Sequence, residues 1–207
     1  REGRGIIPAH VVARATEFDF PYRSRADYAH MLQALMTDPQ RTSLIVDDIE
    51  NQIKTAAESL LILTGGADQD RVLSSALTER GIKVRPYHCS SSTSEDESDA
   101  DSQDMEACCT AELPDEPSAV LVNDRAFTEC LRHLHSHVLF LAIPTYFHKN
   151  LAQAIRSLSQ NGNAGDGRRI TIYDYVDNRV GLLENYFRMR SYNYGVHPDV
   201  LLSTSMH

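Results

Sequence analysis

Two groups of polar residues in this chain are of types that could bind a metal or carry acid–base chemistry. His133, His135 and His137 alternate along the chain, so on a strand they would share one face, and three imidazoles can hold zinc. No carboxylate adjoins them in sequence, and an apolar run follows, so we predict no metal site there. Asp174 and Asp177 flank the end of a predicted strand, where α/β proteins often bind ligands. No nucleophile accompanies them, so we predict a structural or capping role and assign no catalytic residue.

Other residues are of types that could contact phosphate. Gly65 and Gly66 follow the apolar run SLLILT and precede a predicted helix, whose N-terminus could receive a phosphate, although a simple turn is the plainer interpretation. Arg156 and the pair Arg168 and Arg169 could also reach a phosphate, or could be solvated. The phosphate-loop pattern GxxxxGK[ST] occurs nowhere in the sequence. The chain therefore offers no complete nucleotide site of its own.

The elements that must position these residues follow an α/β pattern. Short apolar runs typical of buried parallel strands alternate with amphipathic stretches typical of helices. Before them, a strand is predicted at 10–20, a capping box at Ser24-x-x-Asp27 opens a helix, and Asp38-Pro39 opens another that runs to about residue 58. A final helix at about 178–191 is expected to carry a basic face. The remaining predicted strands lie at 59–66, 82–88, 119–123, 138–144 and 170–176, a further helix lies at 148–160, and the basic face comprises Arg179, Arg188 and Arg190.

The negative charge of the chain is concentrated in one segment. The 207 residues carry a formal net charge of −9. Residues 91–118 hold ten Asp or Glu and no Lys or Arg, which leaves −9 + 10 = +1 for the rest. We predict that 90–118 is a flexible, solvated insert, with mimicry of nucleic acid or binding of a basic partner as alternatives.

The cysteines and the apolar runs limit where the chain could work. The four cysteines have no regular spacing, and two of them are adjacent, which favours a reduced cytoplasmic or nuclear compartment over a disulfide framework. No apolar run approaches the ~20 residues that a membrane-spanning helix needs, so no membrane association is expected.

The order of predicted elements resembles the second, C-terminal RecA-like lobe of superfamily 2 helicases of the DEAD/DEAH type. The best local matches are LLILT with its following helix, LFLAIP, the helix start Leu151-Ala152-Gln153, and RRITIYDYVD. They spread over about residues 8–195. The resemblance implies a three-layer RecA-like domain with a mainly parallel central sheet. It divides the chain into a lead-in strand and two helices at 1–58, the lobe at 59–195 with its acidic insert at 90–118, and a tail at 196–207.

The motifs of that family are degenerate in this chain. The family's helix reads Q-x-x-G-R-x-x-R, and its arginines reach the nucleotide's γ-phosphate. Aligned on Gln153, the two arginine positions here are Ser157 and Gln160, and Arg156 lies one position away. Of the family stretch A-T-G-x-x-x-G-E-G-F-D only Glu129 is retained. The resemblance therefore leaves Gln153, Arg156 and Glu129 as nucleotide-binding candidates.

The glycines of the same stretch are also lost. Two positions where the family's backbone approaches its ligand are Thr128 and Cys130 here, and their side chains would obstruct that approach. The acidic insert stands where the family usually has a basic helix. Candidates for nucleic-acid contact remain: Thr64, Arg125, Arg168 and Arg169.

These features predict a non-catalytic docking or regulatory module in a larger assembly, whose partner is a helicase first lobe or another subunit, with nucleic acid possible. The first alternative is the working second lobe of an ATP-dependent translocase. The second alternative is an interaction domain that binds a basic partner through the insert. ATP and Mg²⁺ would bind only if a first lobe is supplied, since the phosphate loop belongs to that lobe.

Overall fold

A six-stranded, all-parallel sheet forms the middle layer of the fold. The computed structural model describes residues 9–56, 58–87, 116–124, 126–127, 130, 136–144 and 170–194. The strand order is β1-β6-β5-β2-β4-β3. The strands are β1 (Ala9–Ala15), β2 (Leu60–Thr64), β3 (Val84–Tyr87), β4 (Ala119–Asn123), β5 (Val138–Leu141) and β6 (Ile170–Val176).

The helices begin where the sequence provides caps. Ser24 forms the predicted capping box with Asp27, which opens a 3-10 turn (Arg25–Asp27) that continues into α1 (Tyr28–Thr37). The Asp38 side chain accepts a hydrogen bond of 2.7 Å from the Arg41 amide and caps α2 (Pro39–Thr55), with proline at the first helical position. The remaining described helices are α3 (Ala67–Glu79) and α4 (Gly181–Tyr194).

Both faces of the sheet are covered. β2 is buried along its whole length, as expected for a parallel strand between two helical layers. Leu61 and Leu63 pack in one core cluster with residues of α1 and α4, whereas Leu60 and Ile62 pack in another with residues of α2 and α3. The predicted three-layer α/β architecture is confirmed.

Several predicted bounds differ from the structure. The strand predicted at 10–20 ends at Ala15, because only the Thr16 amide continues the ladder to Val176 (3.0 Å) while the Thr16 side chain turns to Asp177. The second helix ends at Thr55 rather than near residue 58, and α4 begins at Gly181. The helix predicted at 148–160 and the tail at 196–207 lie outside the described residues, as does the insert apart from its last three positions.

The predicted lead-in and the predicted lobe share one sheet. β1 pairs with β6 through all seven of its residues, and α2 contributes Ile45, Val46 and Ile49 to the core beneath β2. Residues 9–56 are therefore structurally part of the same domain as the strands that follow. Within the described ranges, no helix is long and apolar enough to cross a membrane.

Candidate functional site at the carboxyl edge of the sheet

Ligands of open parallel sheets bind beyond the carboxyl ends of the strands, so this edge is the first place to look for a site. Here the carboxyl edge is formed by the residues at which the strands end or that directly follow them. They are Thr16 after β1, Asp177 after β6, Ala142 after β5, Thr64 and Gly65 at the end of β2, and Asn123 at the end of β4.

A buried ion pair occupies one half of the carboxyl edge. The Arg41 guanidinium, carried by the first turn of α2, donates from Nε to Asp177 Oδ1 (2.9 Å) and from Nη2 to Asp177 Oδ2 (3.2 Å). The Thr16 hydroxyl donates to the same carboxylate at 2.5 Å. Arg41 is 2% exposed and Asp177 is 1% exposed. Such a bidentate pair, closed off from water, fixes the junction between α2 and the end of β6.

The network continues into the other half through a shared carbonyl. Arg41 Nη1 donates to the carbonyl oxygen of Ala142 at 2.6 Å, and Gln69 Nε2 of α3 donates to the same oxygen at 2.9 Å. Gln69 Oε1 in turn accepts from the Gly65 amide at 2.8 Å. Side chains of α2 and α3 thus tie together the ends of β6, β5 and β2.

The N-terminus of α3 does not fit a phosphate. The residue at its N-cap is Gly66, which provides no side-chain cap, and Asp68 and Asp70 lie in the first turn. These carboxylates would repel an anion there, since they already use the positive end of the helix dipole. The nearby Gly65 amide donates to Gln69. Within the described part of the chain, the turn at Gly65 and Gly66, which the sequence suggested could bind a phosphate, is therefore occupied by the chain's own side chains.

The two glycines at this turn have separate structural reasons. A Cβ at Gly65 would lie 2.7 Å from Met36 Sδ of α1 and 2.8 Å from Ile143 Cδ1, so α1 packs directly over the end of β2. Gly66 has a φ of +142° with open space around it, a backbone conformation that favours glycine. The Gly-Gly pair is explained by packing and turn geometry.

Every polar side chain of the distinctive IYDYVD segment (172–177) has a partner inside the protein. Tyr173 stacks on Phe140 with ring centroids 4.5 Å apart, and its hydroxyl accepts from Gln52 Nε2 at 2.7 Å. Asp174 receives two bonds of 2.8 Å from Arg190 Nε and Nη2. Asp177 pairs with Arg41 of α2, and the Tyr175 hydroxyl donates to Asp48 of the same helix. The segment holds the layers together, which is the structural role predicted for Asp174 and Asp177.

A third buried carboxylate, Asp48, is carried by α2 itself. Asp48 accepts from the Tyr175 hydroxyl at 3.2 Å and from Arg14 Nε at 3.0 Å. Burial raises the pKa of Asp48, and the nearby Arg14 charge opposes that rise. Burial also raises the pKa of the Tyr175 hydroxyl well above its usual value, so Tyr175 stays a neutral hydrogen-bond donor at any ordinary pH.

Of the predicted site residues, Thr64 is described. It is 1% exposed, and its hydroxyl donates to Asp70 Oδ1 at 2.5 Å, so in this conformation the hydroxyl faces the interior. Its contact with nucleic acid stays a prediction. The other candidates lie outside the described residues: Gln153, Arg156, Glu129, Arg125, Arg168 and Arg169.

The histidine group is described only at His137. Its Nδ1 lies 2.9 Å from Glu58 Oε2, and its amide donates to Glu58 Oε1 at 3.1 Å. This pair sits at the amino end of β5, opposite the carboxyl edge. His133 and His135 lie outside the described residues, and among those that are described no group of three or more His, Cys, Asp or Glu could hold a metal.

Sequence reasoning missed the two buried arginines. The prediction that Arg190 belongs to a basic face of the last helix is wrong, since its side chain is 0% exposed. The signal was present: Val180, Leu183, Phe187 and Tyr194 repeat at helical spacing, and position 190 falls on that stripe. Arg41 had no comparable signal beyond its place in the first turn of α2.

Comparison with known proteins finds a likeness in fold. No protein-family model matches the chain, and no curated protein does. A solved structure, the C-terminal part of the Fun30 ATPase domain, is similar with a TM-score of 0.51 at 9% sequence identity. The match covers 79% of this chain, which spans about half (51%) of the other. At this identity the likeness concerns the fold alone, and it agrees with the predicted three-layer α/β architecture.

Proposed function

We propose that this chain is a degenerate helicase C-terminal-like lobe that serves as a non-catalytic docking or regulatory module. One observation carries the proposal: at the carboxyl edge, the described polar groups are engaged with one another. Arg41, Asp177, Gln69 and the Gly65 amide each have a partner within the chain. The edge is organised as a structural junction.

The charge of Arg41 is not available for catalysis in this arrangement. To reach a phosphate, its guanidinium would have to leave Asp177 buried without its main partner. Breaking a buried ion pair in that way costs about 3–5 kcal/mol. A catalytic arginine that stabilises a transferring phosphoryl group must instead be free to approach it.

The sequence supports the same proposal independently. The positions that align with the family's arginines are Ser157 and Gln160, which carry no charge. A lobe that keeps its apolar framework and lacks these charges can still pack against a partner, because packing requires shape and burial rather than an arginine at one point. The partner proposed is a helicase first lobe or another subunit, and ATP and Mg²⁺ would bind only with such a first lobe.

Hydrolysis assays test this proposal. The purified chain should release no phosphate from ATP above the buffer blank, with or without single-stranded or double-stranded nucleic acid. A mock preparation, purified in the same way from cells that do not express the chain, controls for a contaminating ATPase. A nucleotide-dependent rate that scales with the concentration of the chain and survives repurification would overturn the proposal.

The likeness to the C-terminal part of an ATPase domain favours a second candidate, the working half of a two-lobed ATP-dependent translocase. In that case Arg156 would substitute for the missing arginine, and a first lobe would have to supply the phosphate loop. Reconstitution with a first lobe distinguishes the two. The docking module predicts equal nucleic-acid-stimulated hydrolysis for the wild type and Arg156→Ala, whereas the translocase half predicts a large loss in the variant. A first lobe lacking its phosphate-loop lysine is the matched blank.

A further inference from the structure

A continuous chain of hydrogen bonds crosses the carboxyl edge. It runs from Thr16 to Asp177, to Arg41, to the Ala142 carbonyl, to Gln69 and to the Gly65 amide, and we call these six residues the edge network. We propose that the edge network opens and closes as one unit, so that a change at the lead-in residue Thr16 is felt at Gly65, at the end of the central strand β2. The inference deepens the proposed regulatory function by naming a route through the domain.

The links are short, and all but the last are closed off from water; the bond from the Gly65 amide to Gln69 is partly buried and forms the outer end of the network. The five contacts measure 2.5, 2.9, 2.6, 2.9 and 2.8 Å in order along the chain. The four side chains that make them, those of Thr16, Asp177, Arg41 and Gln69, are each 3% exposed or less. In such surroundings successive hydrogen bonds polarise one another, and water cannot replace a lost partner.

Burial makes partial opening unfavourable. If one link breaks while the others hold, the groups on either side stay buried with a partner missing, which is worse than an intact network. If the region opens as a whole, water reaches all of the groups together. Intermediate states are therefore disfavoured, and the network has the two-state character that coupling between distant sites requires.

The network also joins parts of the chain that are far apart in sequence. Thr16 and Arg41 belong to the lead-in, and Ala142 directly follows β5 and precedes the segment that carries Gln153 and Arg156. A partner that displaced the lead-in near Thr16 would therefore disturb the end of β5 as well. This is how a lobe with no catalytic arginine could still transmit the state of a partner.

Amide hydrogen exchange on the isolated chain tests the coupling from both ends. Thr16→Val removes the first link with almost no change in shape, and the readout is the Gly65 amide at the far end. Gln69→Leu removes the links at Gly65, and the readout is the Thr16 amide, which bonds to Val176. After correction for the change in global stability, we expect each remote amide to exchange about 3- to 10-fold faster in the variant than in the wild type. This is the factor by which the loss of one net hydrogen bond shifts an opening equilibrium. Coupling is reciprocal, so the two factors should agree.

Tyr173→Phe is the matched control. It also removes one side-chain hydroxyl from a hydrogen bond, the one with Gln52, and it lies on β6 outside the edge network. Its remote effect at Gly65 should not exceed its global effect.

Three outcomes overturn the inference: no remote change in Thr16→Val, no reciprocal change in Gln69→Leu, or an equal change in the control. If one network variant does not fold, the other still decides. The exchange experiment contains no nucleotide and no partner, so a negative result would not affect the proposed docking function. Conversely, ATP hydrolysis by the chain would overturn the docking function without affecting the proposed coupling.

Discussion

Replacing Arg190 by methionine should destabilise the protein strongly, although the change is apolar and lies within an apolar stripe of α4. The guanidinium and the Asp174 carboxylate are 0% and 1% exposed, and two bonds of 2.8 Å join them. Methionine would leave the Asp174 charge buried without that partner, a loss of about 3–5 kcal/mol. Domains of this size have only about 5–15 kcal/mol of stability, so the variant should be marginal.

The double variant Arg190→Met/Asp174→Leu isolates the cause. In the sheet, Asp174 lies in register with Ala13 and Leu141, so leucine would gain apolar neighbours there. Replacing both members of a buried ion pair by apolar residues often leaves stability unchanged. The double variant should therefore recover most of the stability that Arg190→Met loses, which corresponds to a coupling energy of several kcal/mol between the two residues. Urea unfolding followed by circular dichroism measures all four proteins.

Two results would refute this reasoning. If Arg190→Met loses less than about 1 kcal/mol, the pair is no stronger than an exposed one. If the destabilisation in the double variant equals the sum of the two single variants, the arginine stabilises the fold through contacts such as the one with Phe187, 6.0 Å from the ring centroid, rather than through its pairing with Asp174.

Three further predictions concern groups elsewhere in the domain. Burial raises the pKa of Asp48, so the stability that its protonated form contributes is complete below the ordinary value of 3.8 and is lost as pH rises through the raised pKa. Urea unfolding at a series of pH values should therefore show the wild type losing stability relative to Asp48→Asn as pH rises from 3.8 through the raised pKa. A stability difference between the two proteins that does not change with pH would contradict this prediction. Gly65→Ala should cost about 1–3 kcal/mol by overpacking against the side chains of Met36 and Ile143, seen as a lower unfolding midpoint, whereas an unchanged midpoint would mean that these side chains turn aside. Cys130 is 0% exposed, and burial raises the pKa of its thiol to about 12, so peptide mapping after alkylation should find it modified only in denaturant; rapid modification in buffer would show that this region opens.

Much of the fold could be predicted because it is encoded locally. The strands predicted at 119–123 and 170–176 have those bounds in the structure, since short runs rich in β-branched, aromatic and other apolar residues between turns are typical of buried strands. The caps at Ser24 and Asp38 were visible because they depend on residues within three positions of each other. The end of β1 could not be predicted, because Thr16 leaves the sheet for a partner 161 positions away.

The sequence by itself determined the class of fold, because it depends on residue type and short-range spacing. The tertiary structure decided the roles of the polar residues. Asp174 and Asp177 could have been a site at a strand end, and Arg190 could have faced solvent. Packing instead placed each acid against a buried arginine from another element, and a charge buried in that way must be paired. That pairing depends on distances between remote segments, which a linear pattern does not contain.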